Sequence, residues 1–188
     1  MTRYFYDTEF LDDGYTIHLI SIGIVSDDGR EYYAVNADMD VERILKNPWL
    51  VENVWRHLPV RGMRIGPASV NGTIESRVQI TGSLDRKSSQ LRPRWLIANE
   101  VRDFLRADQA IELWADYAAY DHVVLAQLWG SMMNLPEGIP MWTHDIQQLL
   151  ELAPGFIPPE QQTQQHMANL DARYAKDVYD AVQKHLLT

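Results

Sequence analysis

Two carboxylates lie one residue apart at the end of the first apolar segment of the chain, YFYDTEF. In an extended strand alternate side chains project from the same face, so Asp7 and Glu9 would point in the same direction. Two like charges held this close repel each other, and a nearby cation relieves that repulsion. The pair therefore indicates a divalent metal site, unless Glu9 only blunts a strand edge with charge.

Two further segments carry carboxylates where a strand would end or a helix would begin. Asp121 follows the strand pattern ELWAD, and Asp171 comes early in the last helical pattern, five residues after His166. Ligand sites of open α/β sheets form where strands end and helices begin, which favours one shared cleft. Each residue also has a purely structural interpretation: Asp121 as a helix cap, Asp171 as a solvated helix residue, and His166 as part of a Gln-rich linker.

The elements that must position these residues follow an α/β order. The patterns RYFYDTEF and IHLISIGIV predict two strands, and an Asp-Gly turn predicts a hairpin to a third, REYYAV. Helical patterns and two shorter strands, QAIELWAD and one within IPMWTHD, follow. We predict one α/β domain over residues 1–188, in which a mixed sheet joins an antiparallel three-stranded meander to parallel strands and is flanked by helices.

The segment from residue 56 to residue 94 differs from the rest in charge and regularity. Its net charge is +6, while the remainder of the chain carries −15. Gly, Pro and Ser accumulate there, and only SRVQITG resembles a short strand, so we predict a mobile insertion. This basic segment could be a solvated loop, an electrostatic contact for a polyanion, or part of a homodimer contact.

Composition narrows the class of protein. The 188 residues are 46% hydrophobic and 23% charged, as in ordinary globular domains. The absence of cysteine means that a bound metal would be held by oxygen or imidazole. No apolar run approaches the roughly 20 residues of a membrane span, and the first residues do not resemble a signal peptide. We therefore expect a cytoplasmic protein without a membrane partner.

Taken together, the stretches DTEF, DYAAYD and HMANLDA resemble the three motifs of the DEDDh 3′–5′ exonucleases, the RNase T and oligoribonuclease branch of the RNase H-like fold. More narrowly, YFYDTEF, ELWADYAAYDHVVL and REYYAV are similar to the adenylate-preferring exoribonucleases of the RNase AS type. The resemblance covers most of the chain apart from the basic segment. It implies an RNase H-like fold and the hydrolysis of single-stranded RNA or 3′ overhangs to nucleoside 5′-monophosphates, with a preference for adenylate.

The resemblance also implies a two-metal mechanism. The residues that would both bind metal and take part in catalysis are Asp7, Glu9, Asp121 and Asp171. Two Mg²⁺ or Mn²⁺ ions suit a set of acidic ligands better than zinc does. Asp7 would contact both ions, and His166 would act as the general base, since an imidazole can accept a proton near neutral pH.

The position of Asp116 departs from the family pattern, because RNase T-like relatives commonly carry Asn there. Asp116 is thus a second candidate for the third carboxylate. We prefer Asp121, which follows an aromatic residue and begins a helix as the motif requires. Asp116 would then be a hydrogen-bond partner of a ligand or only a residue at the end of a strand.

The terminal nucleotide of a substrate could contact four further residues. Phe10 directly follows the acidic pair and could stack on a base, or simply pack beneath the strand. Thr8 and His18 could reach the ribose hydroxyls, and Tyr120 is either a wall of the pocket or part of the core. The tryptophans, including Trp95, Trp114 and Trp129, lie on strand or helix patterns, which assigns them to the core.

Two alternative functions stay open at this point. The same site could act on DNA as a 3′–5′ exodeoxyribonuclease. The domain could also bind nucleic acid without catalysis, although the complete set of four carboxylates and His166 favours an active enzyme.

Overall fold

The computed structural model describes residues 1–70, 73–105 and 110–187, except for the side chains of residue 65 and residues 67–80. The strands are β1 (Thr2–Asp12), β2 (Ile17–Ser26), β3 (Glu31–Asn36), β4 (Val60–Val70), β5 (Thr73–Leu84), β6 (Leu91–Arg92), β7 (Ile111–Ala115) and β8 (His144–Asp145). The helices are α1 (Val41–Leu45), α2 (Pro48–Asn53), α3 (Arg94–Leu105), α4 (Ala119–Gln127), α5 (Ile146–Glu151) and α6 (Ala168–Leu186). No helix within these described ranges is long and apolar enough to cross a membrane.

Six strands form one mixed sheet in the order β6-β3-β2-β1-β7-β8. The pairs β1–β2 and β2–β3 are antiparallel, whereas β7 runs parallel to β1, β8 parallel to β7 and β6 parallel to β3. A tight turn with Gly29 at a φ of 88° joins β2 to β3, as the Asp-Gly signal predicts. The predicted fold class, an antiparallel meander combined with parallel strands and flanked by helices, is therefore confirmed.

Alternating side chains of β1 face two different helix layers. Tyr4 and Tyr6 pack in a hydrophobic cluster with α3 and α4. On the opposite face, Phe5 packs with α5 and α6, and Leu11 packs with α1 and α2 in a separate cluster. The period-2 alternation of the strand thus buries side chains on both faces of the sheet. On the second face, a gap lies between the cluster of Phe5 and the cluster of Leu11.

The basic segment contains more regular structure than its sequence predicts. β4 and β5 pair with each other in an antiparallel sheet that is separate from the six-stranded sheet. We expected only SRVQITG to form a strand, and this stretch lies within β5. A register shift after Arg61, with Gly62 at a φ of 63°, interrupts the regular alternation of β4, which is why no clear strand pattern appears in the sequence. The mobility of the segment stays a prediction.

The first turn of α6 lies directly on β2 at Gly23. A β-carbon built on Gly23 would lie 2.3 Å from the backbone oxygen of Ala168 and from the backbone nitrogen of Asn169. Gly23 is also the antiparallel partner of Asp7 in the sheet. The absence of a side chain at Gly23 therefore lets the start of α6, which carries Asp171, approach β1.

We predict that Gly23→Ala displaces the start of α6 and lowers the free energy of unfolding by about 3 kcal/mol, because backbone atoms cannot yield to an added methyl group as a side-chain end can. Urea unfolding measures this as a lower midpoint with an unchanged m-value.

Gly66→Ala is the matched control, since a β-carbon at Gly66 meets no atom within 4 Å and needs no unusual φ. Its midpoint should stay close to that of the parent protein. Equal midpoints for the two variants would contradict the role that we assign to Gly23.

Candidate active site

Three carboxylates from β1 and α6 meet in the gap between the hydrophobic clusters of Phe5 and Leu11. Asp7 and Glu9 lie on the same face of β1 as Phe5, as strand alternation predicts. Asp171 lies in the first turn of α6 and faces them. Each of the three offers one carboxylate oxygen, and these oxygens lie within 4.8 Å of one another. We refer to Asp7, Glu9 and Asp171 as the carboxylate cluster.

Hydrogen bonds from the segment before α6 hold Asp171 in place. The side-chain amide of Gln161 donates to Oδ1 at 2.6 Å, and the backbone N–H of Met167 donates to Oδ2 at 3.0 Å. The second bond satisfies an N–H group at the start of the helix, in the manner of a helix cap. The Gln-rich linker before α6 is therefore part of the site.

Asp121 reaches the site from α4, on the other side of the sheet. β7 pairs with β1 only as far as Phe5 and Trp114, so the strand pairing does not reach the backbone N–H of Thr8. Asp121 fills this place, because its Oδ1 accepts hydrogen bonds from the Thr8 N–H at 2.8 Å and from the Thr8 hydroxyl at 2.6 Å. Asp121 and the carboxylate cluster line the same cleft.

Asp116 also lines this cleft, at the end of β7. Its Oδ1 accepts a 2.7 Å hydrogen bond from the side-chain amide of Gln147 in α5. Asp145, which caps α5, accepts a 3.0 Å hydrogen bond from the backbone N–H of Ala118. These two bonds tie the turn between β7 and α4 to the start of α5, so Asp116 is held by the same turn that positions Asp121.

Burial and mutual repulsion make the ionised form of this site unfavourable. Burial, together with the charges of Asp121, Glu9, Asp171 and Asp116, raises the pKa of Asp7 well above its usual value. Burial and the charges of Asp171 and Asp121 raise the pKa of Glu9 to about 8. Burial raises the pKa of Asp121 to about 7, although its hydrogen bonds from Thr8 oppose the rise.

This chemistry fits a divalent cation. Clustered carboxylate oxygens are the ligands that Mg²⁺ and Mn²⁺ prefer, and a cation removes the repulsion that raises these pKa values. Asp7, Glu9 and Asp171 could hold such an ion, with Asp121 beside them.

His166 lies at the edge of the cleft, in the segment that leads into α6. Its backbone adopts a left-handed conformation with a φ of 62°, which is unusual for a residue other than glycine. Burial raises the pKa of Asp171, while its hydrogen bonds and the nearby charge of His166 oppose that rise. The imidazole is therefore close enough to the carboxylate cluster to influence its charge.

The predicted substrate residues on β1 and α4 lie at the cleft or beside it. Phe10 lines the cleft, and its ring is stacked on that of Tyr120 with centroids 6.0 Å apart and an angle of 16° between the planes. Thr8 also lines the cleft, but its hydroxyl donates to Asp121. The contacts of these three residues with substrate stay predictions.

His18 is not among the described residues that line the cleft. It pairs with Leu11, beyond the register shift that follows Glu9, and so lies nearer the loop between β1 and β2. There its Nε2 forms a 2.7 Å hydrogen bond with the hydroxyl of Thr16 and lies 3.7 Å from Asp13. A ribose contact by His18 stays a prediction that this position does not favour.

Sequence reasoning missed several residues of the cleft wall. Trp49, Tyr117 and Tyr174 line the cleft together with Gln161 and Gln165. The core position that the helical patterns predict for Trp49 and Trp95 is wrong, because these residues are 52% and 65% exposed. One signal was available: Trp49 follows Asn47-Pro48, a helix start, and the next two residues are the apolar pair that a short helix would bury.

The fold and the cleft together define the class of this protein: an α/β domain consistent with the RNase H-like fold, with an acidic cleft compatible with divalent metal. The sequence model of the 3'-5' exoribonuclease Rv2179c-like domain matches residues 2–183. The protein belongs to this family, and it is a 3′–5′ exonuclease that hydrolyses phosphodiester bonds.

Two curated proteins of Mycobacterium tuberculosis are similar to this chain over most of its length. They are named 3'-5' exoribonuclease Rv2179c, from strain ATCC 25618 / H37Rv, and 3'-5' exoribonuclease MT2234.1, from strain CDC 1551 / Oshkosh. Each is 42% identical over 173 residues, which cover 91% of this chain and 87% of the relative. The predicted exoribonuclease family is thus confirmed, whereas the DEDDh and RNase AS assignments stay predictions.

The raised pKa values predict how metal binding depends on pH. In the folded protein without metal, Glu9 holds its proton up to about pH 8, whereas an unfolded Glu releases it near pH 4. The tighter binding of this proton stabilises the folded protein. This contribution to the free energy of unfolding is complete below about pH 4 and is lost as the pH rises through about 8. We therefore expect Mn²⁺ to raise the melting temperature more at pH 8 than at pH 6. At pH 8 the rise should be roughly 5–10 °C when the Mn²⁺ concentration exceeds the Kd a hundredfold.

Thermal unfolding with Mn²⁺ and with chelator, at both pH values, measures this effect. Glu9→Gln should weaken the Mn²⁺ stabilisation and its dependence on pH. Glu151→Gln, which removes an exposed carboxylate of α5, should behave like the parent protein. A Mn²⁺ stabilisation of equal size at pH 6 and pH 8 would contradict the prediction.

Proposed function

We propose that this protein is a metal-dependent 3′–5′ exoribonuclease that removes nucleoside 5′-monophosphates, preferentially adenylate, from single-stranded RNA 3′ ends and 3′ overhangs. The observation that carries the proposal is the convergence of Asp7, Glu9 and Asp171 within 4.8 Å, beside Asp121 and His166. The printed names of the two relatives support RNA as the substrate. The adenylate preference rests on the resemblance to the RNase AS type alone.

The four carboxylates would hold two Mg²⁺ or Mn²⁺ ions. Asp7 lies among the other acids, and the charge of each of them raises its pKa. This central position suits a ligand of both ions. Glu9 and Asp171 would hold one ion with it, and Asp121 would support the second. Bound together, two such ions would activate water and stabilise the charge that develops on the phosphate.

His166 would accept the proton of the attacking water. Its imidazole lies at the edge of the cleft, on the side of Asp171, and an imidazole can take a proton near neutral pH. Since His166 belongs to the segment before α6 rather than to the sheet, binding of RNA could complete its placement.

The cleft is of a size that suits one end of a nucleic-acid strand. Its volume is about 440 Å³, within the range of sites that hold a small ligand. The stacked pair of Phe10 and Tyr120 offers an aromatic wall on which a terminal base could stack. Such stacking is sequence-tolerant and contributes about 1–3 kcal/mol per base.

A nuclease assay tests the proposal directly. Labelled oligo(A) should shorten from its 3′ end in the presence of Mn²⁺, and both chelator and a 3′-end block should stop the reaction. Asp171→Asn should lower the rate by more than about a hundredfold. It removes a charged metal ligand and thereby leaves the other carboxylates without a tightly bound cation. Asp180→Asn, an exposed position of the same helix, is the matched control and should keep full activity.

The same assay separates the alternatives. Matched oligo(dA) cleaved as fast as oligo(A) would favour a deoxyribonuclease. RNA left intact with Mn²⁺ present would favour binding without catalysis. Cleavage that persists in chelator would contradict the metal-dependent mechanism.

His166→Ala should largely abolish turnover, by roughly 10²–10⁴-fold, while metal binding persists, since general-base catalysis contributes about that much. His185→Ala, an exposed position in the last turn of α6, serves as control. Turnover rates and the Mn²⁺-induced rise in melting temperature are measured for both variants. A near-normal rate in His166→Ala would remove His166 from the mechanism.

The basic segment could hold RNA upstream of the cleft. Arg56, Arg61 and Arg64 have exposed side chains at the start of this segment. Arg56 precedes His57, whose pKa is lowered by burial, by Arg56 and by His166, so the segment begins beside the cleft. This location supports contacts between the segment and phosphates upstream of the reacting end.

We expect Arg56→Gln, Arg61→Gln and Arg64→Gln combined to reduce the slope of log K against log salt by up to about 2 for oligo(A) binding, since each phosphate contact to a single strand contributes about 0.7. Binding is measured with the Asp171→Asn background to prevent cleavage. The charge-matched control combines Lys46→Gln, Arg102→Gln and Lys184→Gln. An unchanged slope would assign the basic segment to solvent or to a subunit interface.

A further inference from the structure

The indole of Trp49 lies against the imidazole of His166. Their ring centroids are 4.9 Å apart, and the planes meet at 74°, an edge-to-face arrangement. Trp49 also lines the cleft, although half of its side chain is exposed to solvent. A large aromatic residue that stays exposed at the edge of a site calls for an explanation other than core packing.

The start of α2 fixes the position of Trp49. The side chain of Asn47 caps the helix by accepting hydrogen bonds from the backbone N–H groups of Trp49 and Leu50, at 3.1 and 3.2 Å. Pro48 occupies the first helical position, where its fixed φ suits a helix. Leu50 and Val51 are buried in the hydrophobic cluster of α1 and α2, so the helix is anchored with Trp49 on its outer side.

His166 depends on its neighbours for its orientation. Its φ of 62° is strained for a residue with a side chain, and such a conformation persists only when the surroundings enforce it. Within the described part of the chain, no hydrogen bond to the imidazole is found, which would otherwise orient a histidine base. Trp49 contacts the ring, and the charges of two further neighbours, His57 and Asp171, interact with that of His166.

We infer that Trp49 is a positioning residue that holds the imidazole of His166 towards the carboxylate cluster. The inference rests on the proposed role of His166 as the general base. Of the three neighbours, Trp49 presents a ring in contact distance, and α2 holds this ring independently of the segment that carries His166. Trp49 thereby limits the orientations of a side chain whose own segment lies outside the sheet and the helices.

This role differs from stacking on a substrate base. A residue that stacks on RNA contributes to binding, so its loss raises KM. The loss of a residue that positions the general base lowers kcat and leaves KM nearly unchanged, because the ground-state contacts with RNA persist. A double-mutant cycle separates the two roles further, since a residue that acts through His166 has no effect once the imidazole is gone.

The experiment compares Trp49→Ala, Trp49→Phe, His166→Ala and the double variant on oligo(A), with kcat and KM measured for each. We expect Trp49→Ala to lower kcat roughly 10- to 100-fold, the size of effect that a misplaced catalytic group has. Trp49→Phe keeps an aromatic edge and should stay within about threefold of the parent. The double variant should be no slower than His166→Ala alone.

Trp95→Ala is the matched control, because Trp95 is 65% exposed on α3 and does not line the cleft. It should leave kcat and KM unchanged, and the melting temperature and Mn²⁺ stabilisation of Trp49→Ala should match those of the parent. A raised KM with normal kcat, or additive losses in the double variant, would overturn the inference in favour of base stacking. Normal kinetics of Trp49→Ala together with slow turnover by His166→Ala would overturn the role of Trp49 but not that of His166. Fast turnover by His166→Ala would contradict the proposed general base as well.

Discussion

Repulsion between carboxylates in a partly buried cleft is the constraint on which this structure depends. Asp7, Glu9 and Asp171 come together within 4.8 Å, and Asp121 and Asp116 add their charges. In the absence of a cation, burial and like charges both disfavour the ionised form of these acids, and the hydrogen bonds to Asp121 and Asp171 offset this only in part. The rest of the domain must therefore supply enough packing to hold the acids together, a division of labour common at functional sites.

The packing that opposes this repulsion comes from both sides of the cleft. On β1, Phe5 and Leu11 anchor two separate hydrophobic clusters, and the acidic pair lies between them. Gly23 lets α6 approach the sheet closely enough to bring Asp171 to the pair. Asp121 is held from the opposite layer through Thr8, and its carboxylate takes the place of a strand partner. The cleft is thus a gap between hydrophobic clusters, and its carboxylates are held from both layers.

The edge of the cleft is built differently from its centre. His166, Gln161 and Gln165 belong to a segment between α5 and α6 rather than to the sheet or the helices. Trp49 on α2 and the stacked pair of Phe10 and Tyr120 provide aromatic surfaces on separate elements. The carboxylates are therefore positioned by the fold, while the groups suited to meet substrate are carried by the cleft edge, where adjustment on binding costs less packing.

Local sequence was sufficient to predict the main strands and helices, apart from β4 and β6, and to locate the acidic residues on them. Strand alternation places Asp7 and Glu9 on one face, the Asp-Gly turn predicts the meander, and the helical pattern of the last segment locates Asp171 near its start. Tertiary structure alone decided that His18 lies with Asp13 and Thr16, that β4 and β5 pair with each other, and that Trp49 meets His166. The reason is physical: periodicity reports which face of an element is buried, whereas register shifts and contacts between distant segments depend on how those faces pack together.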